Sequence, residues 1–251
     1  MLDMDFSGKT AVITGAGRGL GAAFAVVLAD LGASVILAGR SMENLTVMAE
    51  HIKARVGTRP EVLHMDLADA GQVTRTAKAM RDSMEKLDIL INNGAQWLPG
   101  AMTEHDAHDI VTTINAAVTG TLLFTRGLIP PLERSGAGDI LNIISISGLP
   151  NIRLLGASVA YLASKHGQAG VTDGLRQELR GRPVRVTGVY PSYIEDISPL
   201  NEASWNAALP DKGWISNKDV VEASLYAISR PRHVTLSSII FDPDEGGFHG
   251  P

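Results

Sequence analysis

The chain contains no cysteine among its 251 residues. That excludes a disulfide framework and any thiolate metal site, and it is compatible with a reducing compartment. No apolar run approaches the ~18 residues that a membrane-spanning helix needs. The opening Met1-Leu2-Asp3-Met4-Asp5 lacks the basic and then apolar layout of a secretion signal. Neither sign of charge dominates: 22 Lys and Arg stand against 27 Asp and Glu, a net charge of −5, with both signs mixed along the chain. There is therefore no basic stripe for nucleic acid and no polybasic segment for an anionic membrane. Internal repeats, low-complexity stretches and Pro/Gly linkers are also missing. Together these absences predict a cytoplasmic protein whose partners are small molecules, folded as one domain over residues 1–251.

Apolar residues supply 45% of the chain, enough for a sizeable core. Short apolar runs at 10–14, 34–38, 61–65, 88–92, 139–145, 184–190 and 236–241 read as strands. Between them, helical periods cover 20–31, 42–55, 70–86, 104–129, 160–180 and 217–229. Asn115 and Gly120 are weak helix formers and predict a bend or a break in the fourth helical stretch. Strands alternating with helices predict a doubly wound α/β fold, with a seven-stranded parallel sheet flanked by helices. The least regular stretch, 191–214, holds three prolines and two tryptophans between a strand and a helix, and it reads as a lid.

The first predicted strand runs into Gly15-Ala16-Gly17-Arg18-Gly19-Leu20-Gly21 and then a helix, the context a dinucleotide fingerprint requires. Gly15 permits a tight turn, Gly19 lets the backbone approach a pyrophosphate, and Gly21 lets helix and strand pack closely. The amides that open the helix then face the anion. The end of the second strand selects the nucleotide. A carboxylate there would accept from the ribose hydroxyls of NAD, but this chain has Gly39-Arg40 and no acid in the turn. Arg18 adds a second guanidinium within the glycine loop. Two forked cations suit a 2′-phosphate, so the expected cofactor is NADP(H). The same missing acid weakens a methyltransferase reading.

Tyr161 and Lys165, in Tyr-Leu-Ala-Ser-Lys, stand four residues apart in a predicted helix and share one face. Taken alone, that spacing is common on solvated helix faces. Beside the glycine turn it makes an acid–base pair. A free phenol titrates near ~10, and a neighbouring ammonium favours the phenolate and draws that value down.

In this order the motifs resemble the short-chain dehydrogenase/reductase family, from Lys9 to about Gly247. Thr14-Gly15-x-x-x-Gly19-x-Gly21 matches its cofactor loop and Asp66-Leu67 its adenine contact. Asn92-Asn93-Gly94-Ala95 stands where the family usually reads Asn-Asn-Ala-Gly, and Asn115, Ser145, Tyr161 and Lys165 match its catalytic four. The resemblance implies a Rossmann-type fold and an oxidoreductase interconverting a carbonyl and an alcohol on a small or medium organic molecule by hydride transfer. It implies that Tyr161 is general acid and base, that Ser145 bonds the substrate oxygen, that Lys165 holds the nicotinamide ribose and depresses the phenol, and that Asn115 supports a proton relay. Ser145, unlike Ser147, has a glycine three residues on, at Gly148, which is the family's spacing. Cofactor contacts are implied for Thr14, Gly15, Gly17, Arg18, Gly19, Leu20, Gly21, Arg40, Asp66, Leu67, Asn92, Gly94, Tyr161, Lys165, Pro191, Ser192 and Ile194, with no metal.

A homodimer or homotetramer is implied as well, packed through the long helices of the fourth and fifth crossovers. Ile114, Val118, Leu122 and Leu123 suit such a contact, and core burial accounts for them equally. Two other readings keep the same fold: an NADP(H)-binding regulatory or scaffold protein without turnover, and an isomerase or lyase using the Tyr161–Lys165 pair.

Three departures from the family pattern bear on cofactor affinity. Gly94-Ala95 reverses the usual order, and Pro191-Ser192 replaces Pro-Gly, where serine enters positive φ less freely. Asp196 stands about where a threonine often meets the nicotinamide amide, and a carboxylate accepts there but does not donate. Residues 151–156 lengthen the segment before Tyr161 and are expected to shape a substrate pocket. Trp97 and Leu98 suit a pocket wall or the core, and Trp205 and Trp214 suit a cover over an apolar substrate or a subunit contact. His105 and His108 read as part of a polar helix start, not as metal ligands.

Overall fold

The structure, a computed structural model, describes residues 4–152, 156–207 and 215–242. Its strands are β1 (Thr10–Thr14), β2 (Ser34–Gly39), β3 (Glu61–His64), β4 (Ile89–Asn92), β5 (Gly138–Ile143), β6 (Val184–Tyr190), β7 (Ile194–Glu195), β8 (Ile215–Ser216) and β9 (Ser238–Ile240). Seven of them form one parallel sheet in the order β3-β2-β1-β4-β5-β6-β9. The helices are α1 (Gly19–Asp30), α2 (Met42–Val56), α3 (Ala70–Ser83), α4 (Ala107–Ile114), α5 (Thr121–Arg134), α6 (Val159–Glu178), α7 (Glu202–Asn206) and α8 (Asn217–Ile228).

The central strands are rich in apolar residues on both faces because both faces of the sheet are covered. Ala11 and Ile13 of β1, Val35 and Leu37 of β2, and Ile89 and Ile91 of β4 face one core, with Phe24 of α1, Met48 of α2 and Val221 of α8. Val12, Ile36 and Leu90 face the other, with Val73 of α3, Phe124 of α5 and Leu175 of α6. The two-residue period of a strand sends alternate side chains to opposite cores. Each fully buried side chain of this kind contributes about 1.5–3 kcal/mol.

Helix starts follow local chemistry. Ser41, Asp69 and Ser158 accept from Asn44, Gln72 and Tyr161 amides to cap α2, α3 and α6, and Ser216 with Asp219 forms a reciprocal box at α8. The start of α1 differs, because its N-cap, Arg18, is extended and gives no side-chain hydrogen bond. Its amides are left to the space above β1, where the sheet order reverses between β1 and β4.

The expected bend in the fourth helical stretch takes a definite form. Between α4 and α5 the chain widens into a π-helical segment, Asn115–Gly120, and Gly120 lies so close to the Leu67 backbone that a Cβ there would collide with its carbonyl. A wide turn of this sort reorients the side chains it carries. α5 then runs five residues past the predicted end, through Pro130 and Pro131 to Arg134.

The described part of the segment expected to form a lid holds short elements of its own. β7 and β8 pair in a small parallel ribbon, and α7 lies between them in sequence. Trp205 of α7 is 6% exposed and packs into the core with Val220 and Leu225. Lys218 donates to its carbonyl and lies 5.2 Å from its ring centroid. It is thus a core anchor, neither a substrate cover nor a subunit contact. Trp214, positions 153–155 and the tail beyond 242 lie outside the described residues. Among the described residues no helix is long and apolar enough to cross a membrane.

Candidate active site

A cleft of about 530 Å³ opens at the carboxyl ends of β1 to β4, the position ligands occupy in open α/β sheets. Of the residues expected at the cofactor, Thr14, Gly15, Gly17, Arg18, Gly19, Arg40, Asp66, Leu67 and Gly94 line it. Gly15 and Gly19 have φ of 68° and 55°, the left-handed region that favours glycine. Gly21 sits against the Gly15 carbonyl, where any Cβ would collide, so its part is helix–strand packing. Leu20 is turned into the core. Arg40 is exposed at the rim, without an ion pair among the described residues.

Thr14 works on the protein itself. Its Oγ1 accepts from the amides of Asn93 at 3.0 Å and Gly94 at 2.9 Å, tying the exit of β4 to the glycine turn. Asn93 Nδ2 returns a bond of 3.1 Å to the Thr14 carbonyl. A Cβ on Gly94 would stand 2.5 Å from Leu67 Cδ1, so a larger residue there would displace the end of that side chain in the cleft wall. Asn92, expected at the cofactor, is buried below the cleft and not in its lining. Its Nδ2 donates to Thr125 Oγ1 at 2.9 Å and Asn142 Oδ1 at 2.8 Å. Asn142 in turn donates to Thr172 of α6 at 2.8 Å. This buried chain fixes α6 against β4 and β5. Sequence reasoning passed over Asn93, Ser41, Asn44 and Met65, which line the cleft. Strand alternation gives the signal, since Asn92 shares the face of Leu90 and Asn93 takes the other.

Pro191, Ser192 and Ile194 lie after β6, outside the cleft lining. Pro191 accepts from the Ile146 amide at 3.0 Å, and Ile194 packs on the core. Ser192 carries no strain: Asn151 is the non-glycine residue with positive φ among those described. The serine substitution therefore needs no left-handed backbone.

The four residues of the expected catalytic set come from three elements. Ser145 follows β5, Asn115 opens the π segment, and Tyr161 and Lys165 sit on α6. The Ser145 hydroxyl lies close enough to the Tyr161 phenol to act on its ionisation and accepts from the Ser147 amide at 3.1 Å, whereas the buried Ser147 hydroxyl has no partner. Asn115 Oδ1 accepts from Thr119 at 3.3 Å. Trp97 lies edge-on to Tyr161, ring centroids 4.6 Å apart at 78°. Two backbone bonds hold Trp97's segment in place, from Ser158 to the Leu98 carbonyl and from Gly100 to the Gly156 carbonyl, both 3.1 Å. Trp97 is 46% exposed, so it forms a wall beside the phenol.

The electrostatics correct one expectation. Lys165 Nζ is 5.6 Å from the Tyr161 ring centroid, but it donates to Gln168 Oε1 at 2.8 Å and to the Ile143 carbonyl at 3.4 Å. Burial without an acidic partner pulls the ammonium down to about 7. Burial also pushes the Tyr161 phenol up to about 12, against the opposing pull of the Ser145 hydroxyl. The phenol is therefore raised, not depressed, in the protein by itself. His105 precedes α4 and His108 lies within it, and among the described residues no cluster of three ligands suits a metal.

Residues 9–207 match the family model described as short chain dehydrogenase. An uncharacterized oxidoreductase of Staphylococcus saprophyticus is 31% identical over 241 residues, covering 96% of this chain and 99% of its own. Among solved structures, a metagenomic short-chain oxidoreductase in complex with NADP superposes with a TM-score of 0.77 at 27% identity, covering 96% of this chain and 99% of that one. A short chain dehydrogenase of Salmonella enterica serovar Typhi gives 0.78 at 25% identity, with 93% and 96% covered.

Proposed function

The chain belongs to the short chain dehydrogenase family, and from that premise we propose that it is an NADP(H)-dependent oxidoreductase reducing a carbonyl of a small or medium organic molecule. The observation that carries this reading is the approach of Lys165 to the Tyr161 ring, 5.6 Å from its centroid with Ser145 near the phenol, in a fold whose glycine turn lines a cleft that reaches Gln96 and Ala116, the chain neighbours of Trp97 and Asn115. The cleft fits a dinucleotide: its glycines leave backbone exposed, and α1 begins with amides that no side chain caps. Arg18 and Arg40 would hold a 2′-phosphate, Asp66 and Leu67 the adenine end, and Tyr161 with Lys165 the nicotinamide ribose. The metagenomic relative solved with NADP supports the choice of nucleotide.

The chemistry a nicotinamide would supply, once held there, is hydride donation to the carbonyl carbon. The protein's own task is the proton. Tyr161, raised to about 12, keeps its proton at neutral pH and donates it to the developing alkoxide, while Ser145 bonds the same oxygen. Lys165 positions the site, with its charge falling as pH rises through about 7, and Asn115 supports return of a proton from water. Trp97 forms the wall against which the substrate rests. We place the protein in the cytoplasm as a folded unit of one domain, with exposed Val111 and Leu122 at a contact between copies.

The test is loss of reduced-nicotinamide absorbance with NADPH and a panel of ketones and aldehydes. Tyr161→Phe should reduce kcat by at least ~100-fold with NADPH binding retained. An undiminished rate would remove Tyr161 as the acid. Tight NADPH binding without turnover across the panel would favour a regulatory role, and product formed without net cofactor change would favour an isomerase or lyase.

A further inference from the structure

Asp196 follows β7 and lies over the start of α1. Its Oδ2 is 3.0 Å from the point where a Cβ on Gly19 would stand, and its other carboxyl atoms are 3.4 Å away. The amides of an uncapped helix start attract an anion, and here the chain brings its own. The backbone is pinned on both sides of this residue. Glu195 pairs with Ser216 in the β7–β8 ribbon, and the Ile197 carbonyl accepts from the fully buried Asn217 at 2.9 Å. The carboxyl group is therefore held near Gly19 by more than its own rotamer.

We propose that Asp196 sets dinucleotide affinity through its charge: its carboxyl group lies where the cofactor's diphosphate would be drawn, so that binding takes up a proton at this residue. The proposal rests on the cofactor reading above. An ionised carboxylate and a diphosphate repel each other across this short distance, and a neutral carboxyl group removes that repulsion while still fitting beside Gly19.

The charged group facing Asp196 from the glycine turn is Arg18. Its own strand adds Glu195, while Arg40 and Asp66 line other parts of the cleft. Desolvation by the surrounding protein raises Asp196 above the ordinary carboxylate range, and Arg18 acts against that rise. A diphosphate beside it raises the group further, so the bound form holds the proton to higher pH than the free form. Affinity is then highest where Asp196 is already neutral and falls as pH climbs between its free and bound values. Lys165 and the 2′-phosphate also titrate in this range, but they are common to wild type and an Asp196 variant.

The test is calorimetric titration of NADPH into wild type, Asp196→Asn and Asp196→Ala, from about pH 5.5 to about pH 8, in buffers of differing ionisation enthalpy. Both variants should bind at least ~10-fold tighter than wild type at the upper pH, and the gap should close towards the lower pH. Proton uptake on binding should be larger in wild type by up to about one proton. Equal affinity at the upper pH, weaker binding by folded variants, or the same proton uptake in all three would overturn the proposal and leave the cofactor reading standing. Failure of all three proteins, folded by circular dichroism, to take up NADPH would overturn the cofactor reading and this proposal with it.

Discussion

Lys165 donates its ammonium proton to Gln168 Oε1 at 2.8 Å, three residues further along α6. Gln168 is 1% exposed, and its Nε2 has no partner. The lysine that the sequence pairs with Tyr161 is thus anchored by an uncharged acceptor inside the core. A neutral acceptor steadies an ammonium without offsetting its desolvation as a carboxylate would.

Lys165 in the folded protein titrates near 7, against 10.5 for the free side chain. Between those values the unfolded chain binds a proton that the folded one does not, so this residue makes stability rise with pH. Below about 7 its burial cost is present in full. Lys165→Met should stabilise the cofactor-free protein by roughly 1–3 kcal/mol near pH 6, after the cost of leaving Gln168 unpaired. Urea denaturation at pH 6 and pH 9 measures this, and a gain that is not smaller at pH 9 would contradict it.

Tyr161 is raised to about 12 by burial. Its contribution to kcat/KM for carbonyl reduction should show no alkaline loss below about pH 10, because the acid remains protonated there. A pH–rate profile comparing wild type with Lys165→Met separates this limb from any ionisation of the lysine. An alkaline break near 8 that persists in the variant would count against a raised phenol.

Arg40 stands exposed at the end of β2, in the turn that lacks an acid. Arg40→Ala should weaken NADPH by about 10- to 100-fold, the scale of a lost charge-assisted bidentate contact, and leave NADH within about twofold. Arg18→Ala should likewise weaken NADPH more than NADH. Fluorescence titration with each nucleotide decides. Equal losses for NADPH and NADH in Arg40→Ala would move the 2′-phosphate elsewhere.

Gly120 closes the π segment against the Leu67 backbone, with no room for a side chain. Gly120→Ala should cost more than about 3 kcal/mol, since backbone must move. Gly174, exposed in α6 with nothing within 4 Å of its missing Cβ, is the control. Gly174→Ala should be neutral or stabilising by up to about 1 kcal/mol. Thermal melts of the pair test whether the wide turn is required by contact with the cleft wall.

Chain order and local pattern made the sheet legible. Runs such as 10–14 are apolar on both alternating faces because helices cover both sides, so the run itself betrays the buried strand. The strand ends were less visible: the stretch read as 139–145 stops at Ile143, and Ser145 opens a 3₁₀ turn. Glycines at 15, 19 and 21 declared the turn because their backbone needs are local. The shared face of Tyr161 and Lys165 came from helical spacing alone.

Other properties belong to pairs that are distant in the chain, and only packing could set them. Whether Asn92 faced the cleft depended on Thr125 and Asn142 waiting beneath it. Trp205 became core because α8 presents Val220 and Leu225 to it. The ionisation of Tyr161 and Lys165 depended on how completely folding excludes water around them. Asp196 reached Gly19, 177 residues earlier, only because the β7–β8 ribbon holds it there. Spacing along a backbone fixes direction over a few residues, which the sequence states openly. Desolvation and long-range approach arise from the whole fold, and no single stretch of this sequence contains them.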